Sequence, residues 1–239
     1  MVEESQKKKK GPLKLVSRKS TKKILGIGKW KKLDSGEKTQ PETKGTDTPR
    51  PVIGLPLTSA VELNPSFDGI PLPAFFRQAL DFVEAQGLKQ EGIYRISSPK
   101  SRLDELEANA GREGIELNFF DAHEAAGLIK RFLRQLPHTL LDPEVEQVVA
   151  KCGCGLLEQC SCPVLTALKE QLARIERPYF YMLAYVFLHA RRVIAMEPEN
   201  KMSLQALGLL LQAVLDLTQK MICYLINNPS LFSTISIEP

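Results

Sequence analysis

The sequence contains no uninterrupted apolar run of the roughly 18–20 residues that a helical bilayer span requires. Its nearest stretch, LGLLLQAVLDL at 207–217, is broken by Gln212 and Asp216, so a membrane-spanning helix is not expected. Signatures of catalysis and of nucleotide binding are also missing. LGIGKW at 25–30 has two glycines and a lysine, but without the G-x-x-x-x-G-K-[ST] spacing that cradles phosphates, so the chain is not expected to bind a nucleotide alone. Only three histidines occur, His123, His138 and His189, with no H-E-x-x-H and no G-x-S-x-G elbow. An ordinary active-site enzyme is therefore not expected, no cofactor is implied, and His189, within an apolar stretch, reads as a packed residue. The N-terminus carries charge but no apolar core like that of a secretory signal, which makes a cytoplasmic location the expectation.

Charge is divided unevenly along the 239 residues. The net +4 hides a segment, 1–50, with 13 Lys and 2 Arg against 4 Glu and 2 Asp, a net +9 that leaves the other 189 residues at −5. A basic tail thus precedes a mildly acidic body, and anionic lipid, nucleic acid or an acidic protein surface are the partners such a tail attracts. Residues 34–50, DSGEKTQPETKGTDTPR, are polar and rich in Gly and Pro, the composition of a flexible linker. The division expected is a tail over 1–33, a linker over 34–51 and a folded domain over 52–235.

Within the domain, apolar residues recur with helical spacing. Phe76, Ala79, Leu80 and Val83 follow i, i+3, i+4, i+7, after Pro73 as a helix start and before Gly87 as a C-terminal cap. Ile129, Phe132, Leu133 and Leu136 repeat the pattern, as do Leu165, Leu168, Leu172 and Ile175. Two longer apolar segments, 178–196 and 203–217, read as core helices; in the second, Leu204, Leu207, Leu211, Val214 and Leu215 line one side and Leu209 and Leu210 another, predicting a helix buried on most of its surface. No strand-length alternation of Val, Ile or Thr occurs. The fold class expected is all-α.

Four of the five cysteines fall in CGCGLLEQCSC as Cys152, Cys154, Cys160 and Cys162. Zinc sites usually take C-x2-C pairs, and a single-residue gap makes it harder for both thiolates to reach one tetrahedral ion. Free thiols in a loop between helices are the expectation, with no metal; a zinc-dependent interaction module is a third and weaker functional reading. Cys223, in another apolar segment, is expected in the core.

Basic residues in the body narrow the function. Lys130 and Arg134 lie four apart, on one helical face beside the apolar stripe of Ile129, Phe132 and Leu133, and alone they read as a solvated flank. Together, EGIYRIS (91–97), LIKRFLRQLP (128–137) and NKMSLQALGLLL (200–211), in this order and spacing, resemble the RhoGAP domain, the module that stimulates GTP hydrolysis by Rho-family GTPases. The resemblance covers about 52–235 and is strongest to the Ral-binding protein branch. It implies a helical bundle, a Rho-family small GTPase in its GTP-bound form as partner, Rac-like members among the candidates, and Arg95 as an arginine finger. A guanidinium is always charged, planar and multiply donating, which suits it to the charge that develops on a transferring phosphoryl group.

Further residues carry over by position. The resemblance implies that Lys130 contacts the GTPase, that Arg134 braces the finger loop by bonds to backbone carbonyls, and that Asn200 is the asparagine of the family's NKM. Where the family commonly reads FGPNLL, this chain has LQAVLD at 211–216, so Val214 replaces an asparagine expected to hydrogen-bond at the interface. Ser98, His138, Thr139 and Tyr179 are further departures. They leave a second reading, a scaffold that binds a Rho-type GTPase with little or no acceleration. Ral binding, expected of a coiled-coil region beyond the domain, is not expected of a chain ending at Pro239.

In the tail, residues 13–33 mix Lys and Arg with Leu15, Val16, Ile24, Leu25, Ile27 and Trp30. Ile24, Ile27 and Trp30 fit one face of a helix on an anionic membrane, peripheral at the plasma membrane. Gly26 and Gly28 weaken any helix there, so a disordered basic tail remains equally open. Without aromatic interleaving or a binding fold, nucleic acid is not an expected partner.

Overall fold

The computed structural model describes residues 51–235, apart from Glu113 and Leu156. The expected tail over 1–33, its Ile24, Ile27 and Trp30 face, and all but the last residue of the expected linker lie outside the described residues. Every regular element described is helical: α1 (Leu57–Leu63), α2 (Ala74–Phe82), α3 (Lys100–Ala110), α4 (Ala122–Arg134), α5 (Pro143–Ala150), α6 (Val164–Leu172), α7 (Arg177–Ala195), α8 (Glu197–Asn200), α9 (Leu204–Leu215) and α10 (Gln219–Asn227). A π-helical turn, Val83–Gly87, extends α2, and a 3-10 turn, Pro229–Phe232, follows α10. The all-α expectation holds.

Local chemistry starts these helices where it can. The Asp121, Asp142, Ser203 and Thr218 side chains accept the amide hydrogens of Glu124, Glu144, Ala206 and Met221 at the heads of α4, α5, α9 and α10, satisfying donors that a helix leaves without partners. The N-cap of α2 is Pro73, as its sequence predicts. Gly87 plays a different part from the predicted cap. It ends the π-helical turn, and a Cβ there would come within 2.6 Å of the Ala122 Cβ, so Gly87 lets the end of the α2 segment touch the start of α4.

The α2–α4 contact is the most extensive between helices. It is built on Phe75 and Phe76 against Phe132, with ring centroids 5.0 and 5.8 Å apart. α3 is tied to α4 by charge: Arg131 pairs with Asp104 and Glu107, and Arg102 with the buried Glu124 at 3.0 Å. The polypeptide between α2 and α3 is thereby held at both ends against α4. α7 and α9 complete the surroundings of this region.

α9 departs from its predicted burial. Leu207, Leu211, Val214 and Leu215 are buried, but Leu209 is 51% exposed. The apolar composition of this helix exceeds what its one packed face absorbs. No single helix among the described residues is long and apolar enough to cross a membrane, and α9 and α10, apolar in sum, meet at a bend of 118°.

Candidate functional site

Arg95 lies exposed in the turn that joins the α2 segment to α3, and the turn takes its shape from two residues with left-handed backbone. Gly92 has φ +68° and Tyr94 φ +66°. At Gly92 a side chain has no room, since a Cβ would fall 2.8 Å from Ile96 Cδ1 and 3.4 Å from Arg95 Nη2. Tyr94 has no such exemption. A bulky residue in this conformation costs about 1–3 kcal/mol and persists only where its surroundings over-determine it.

Those surroundings are bonds on every side. The Gly92 carbonyl accepts from the Arg95 and Ile96 amides, both at 2.9 Å, and the Gly92 amide donates to the Asn200 carbonyl at 2.8 Å. The Lys130 ammonium donates to the carbonyl of Tyr94, the residue immediately before the arginine. Beneath the turn, the buried Tyr94 phenol is 2.6 Å from His189 Nε2. His189 Nδ1 bonds Glu84 Oε1, and Arg192 Nε lies 2.9 Å from Glu84 Oε2.

Protonation follows from these contacts. Burial, and then the Glu84 charge, pushes the Tyr94 hydroxyl well above its usual range, so it stays protonated. A carboxylate only accepts, so His189 Nδ1 carries the proton donated to Glu84, and in the neutral ring Nε2 accepts from Tyr94. The series resembles an acid–base relay but is sealed from solvent: the Glu84 side chain is fully buried and that of His189 nearly so. Its work is to fix Tyr94. The packed reading of His189 holds, but with a polar partner on each ring nitrogen.

Asn200 anchors the same turn from the other side. It is fully buried; its amide nitrogen donates to the carbonyls of Leu88 and Val193, both at 2.7 Å, and its Oδ1 accepts from the Met202 amide at 2.8 Å. One side chain thus joins the start of the turn, the end of α7 and the approach to α9.

Of the three basic residues of α4, Arg131 pairs with α3, and Lys130 and Arg134 face the turn that carries Arg95 differently from each other. The bond to the Arg95 turn is made by Lys130, whereas Arg134, expected to brace that turn, lies one helical turn further on, is exposed and bonds no backbone carbonyl among the described residues. Lys130 is the residue whose side chain lies against Tyr94, half-buried. Burial first, and the Arg134 charge second, lower its ammonium below the usual lysine value. Val214 is 5% exposed and lines, with Tyr94, Lys130, His189 and Leu211, a narrow crevice of about 20 Å³ under the turn. Its position makes it part of the packing beneath the Arg95 turn. Arg95, Lys130, Asn200 and Val214 are therefore brought to one turn and its underside, and Arg134 to its flank.

Sequence reasoning missed Glu84, Tyr94 and Arg192 as supports. Glu84 shares its helix face with Arg77 and Asp81, so nothing in the sequence marked it as the buried member of that charged set. Chemically, the arrangement presents a permanent cation, exposed, on a turn whose backbone is held by its neighbours. That suits stabilisation of charge on a group brought by another molecule.

The RhoGAP domain family model matches residues 73–218. Over 189 residues the chain is 33% identical to RalA-binding protein 1-A of Xenopus laevis, covering 76% of this chain and 28% of that protein. It is 29% identical over 199 residues to a probable Rho-type GTPase-activating protein 2 of Schizosaccharomyces pombe, covering 77% of this chain and 15% of that one. The chain thus spans less than a third of either relative. Among solved structures, human Rho GTPase activating protein 15 aligns with TM-score 0.62 and 25% identity, over 82% of this chain and 98% of that chain.

Proposed function

The chain belongs to the RhoGAP family, and we propose from that premise that it is a GTPase-activating protein for a Rho-family small GTPase in its GTP-bound form, with Arg95 as the finger inserted in trans. One observation carries the reading: Arg95 is exposed at the tip of a turn whose strained neighbour, Tyr94, is held by Lys130, by His189 and, through Gly92, by Asn200. Positioning and charge stabilisation are nearly all that a protein contributes to phosphoryl transfer, and a turn fixed before docking supplies the first.

The guanidinium would neutralise charge on the γ-phosphate oxygens and the β–γ bridge, which a finger in trans does to the extent of about 10³–10⁵ in rate. The exposed Arg134, and the side chains of Ile96 and Leu209, which are 47% and 51% exposed, are available to the partner's surface. Single-turnover GTP hydrolysis by a panel of Rho-type GTPases, Rac-like members first, tests the reading with wild type and Arg95→Ala side by side. The expected result is stimulation by the wild type, lost by a factor of about 10³ or more in the variant, with binding retained. Stimulation unchanged in Arg95→Ala would sink the finger assignment. Binding to a GTP-loaded member without stimulation by the wild type would make the chain a scaffold.

The basic segment 13–33 is proposed to bring the domain to anionic membrane as a peripheral protein, since several lysines near such a surface contribute about 1 kcal/mol each. Co-sedimentation with phosphatidylserine vesicles is expected, and binding that survives deletion of 1–33 would reject the proposal.

A further inference from the structure

The polypeptide between α5 and α6 brings the four cysteines of CGCGLLEQCSC to one point. Their sulfurs all lie within 4.8 Å of one another. Cys152 Sγ is 3.6 Å from the sulfurs of Cys160 and Cys162, Cys154 Sγ is 3.6 Å from that of Cys160, and Cys160 and Cys162 are 3.1 Å apart. Four thiolates around a tetrahedral zinc at about 2.3 Å stand about 3.8 Å apart, a spacing that the observed separations bracket. An iron–sulfur cluster requires its cysteines spread around several atoms, and this set is too compact for one.

The single-residue gap within each Cys-x-Cys pair argued against a shared ion, because it makes it harder for both thiolates to reach one tetrahedral centre. The folded chain removes that obstacle. Cys152 follows the last turn of α5, its amide bonded to the Val149 carbonyl at 2.9 Å, and the Cys162 carbonyl accepts from the Leu165 amide in the first turn of α6 at 3.1 Å. A turn closed by the Glu158 amide and the Gly155 carbonyl lies between the pairs, so the second pair faces the first across it.

The neighbours fit an anionic centre. A zinc with four thiolates carries a net charge of −2, and Lys220 of α10 stands beside the cluster, its ammonium donating to the carbonyls of Ala150 and Cys152 at 2.9 and 2.8 Å. The buried Tyr224 hydroxyl stands beside the Cys160 thiol and lines the same crevice as Cys152, Cys154 and Cys160. It is a donor available to a thiolate, of the kind that tunes metal-bound sulfur. The Cys160 amide donates to Asn228 Oδ1 at 2.8 Å, so the cluster is already seated on the end of α10.

We propose that Cys152, Cys154, Cys160 and Cys162 bind one structural zinc ion that clips the α5–α6 connection onto α10. On binding, each thiol gives its proton to solvent as its sulfur–zinc bond forms, and four filled positions leave no place for a substrate. None of these residues takes part in the Arg95 site.

The test uses the untagged full 239-residue chain, expressed with zinc and purified under reducing conditions. Elemental analysis is expected to find one zinc per chain, and cobalt titrated into metal-free protein is expected to give the intense visible absorption of a tetrahedral tetrathiolate. Cys154→Ser combined with Cys162→Ser should lose both signals, and Cys223→Ser should keep them. Wild type without zinc and without the cobalt spectrum would overturn the proposal, whatever the folding of the variants. Iron in place of zinc, zinc retained by the double variant, or a mass showing disulfides under these conditions would overturn it as well.

Discussion

At the scale of single residues, Tyr94 separates packing from function most cleanly. Tyr94→Phe keeps the ring and the apolar contacts but removes the hydroxyl that meets His189 at 2.6 Å, leaving a buried ring nitrogen without its partner. The expected loss is about 1–3 kcal/mol of stability by urea denaturation. The maximal stimulated rate should fall more than the affinity for the GTPase, because the strained conformation before Arg95 loses one of its supports. A loss of affinity with the maximal rate unchanged would show that the phenol serves docking instead. Arg95 itself was legible in the sequence only through its company, EGIYRIS with LIKRFLRQLP and NKMSLQALGLLL. The Glu84–His189–Tyr94 series was not, because its members lie far apart in the chain and a buried histidine carries no mark of its partners. The positive φ of Tyr94 was equally hidden, since nothing in a tyrosine announces it.

Elements were easier to read than their ends. The stripes beginning at Phe76, Ile129 and Leu165 each became a helix, because periodic burial is a property of a whole segment. The π-helical turn Val83–Gly87 was invisible, since a single changed hydrogen-bond register leaves the apolar spacing almost intact. Leu209 misled for a related reason: composition counts apolar residues without saying which face a neighbour covers. Gly87 gives this scale its prediction. A Cβ at that position would lie 2.6 Å from the Ala122 Cβ and 3.1 Å from Val83 Cγ1, and the first of these belongs to helix α4, with no flexible side chain to yield. Gly87→Ala should therefore part α2 from α4 and cost about 1–3 kcal/mol in denaturant midpoint measurements. Unchanged stability would mean that the two helices separate without penalty.

Across the whole domain, the Arg95 turn and the cysteine cluster draw on different residues: α2, α4, α7 and the approach to α9 for one, the α5–α6 connection and α10 for the other. The cysteines are free thiols between helices, as spacing led one to expect; their convergence on one point was not legible, because spacing along the chain says little about where a turn returns it. With zinc removed by a chelator, the thermal midpoint should fall while stimulation at temperatures below unfolding is kept. Stimulation lost in step with zinc would instead couple the two regions.

The way the Arg95 turn is held also has a thermodynamic consequence for the docking proposed above. A loop that orders only on contact loses about 1–2 kcal/mol of conformational freedom for each residue fixed. Here the backbone is fixed beforehand, so the arginine arm, with about 2 kcal/mol of rotamer entropy, is what remains to be stilled when the partner arrives. Calorimetry should find a less unfavourable entropy of association for the wild type than for Tyr94→Phe at similar enthalpy. The domain meets its partner already shaped for the encounter.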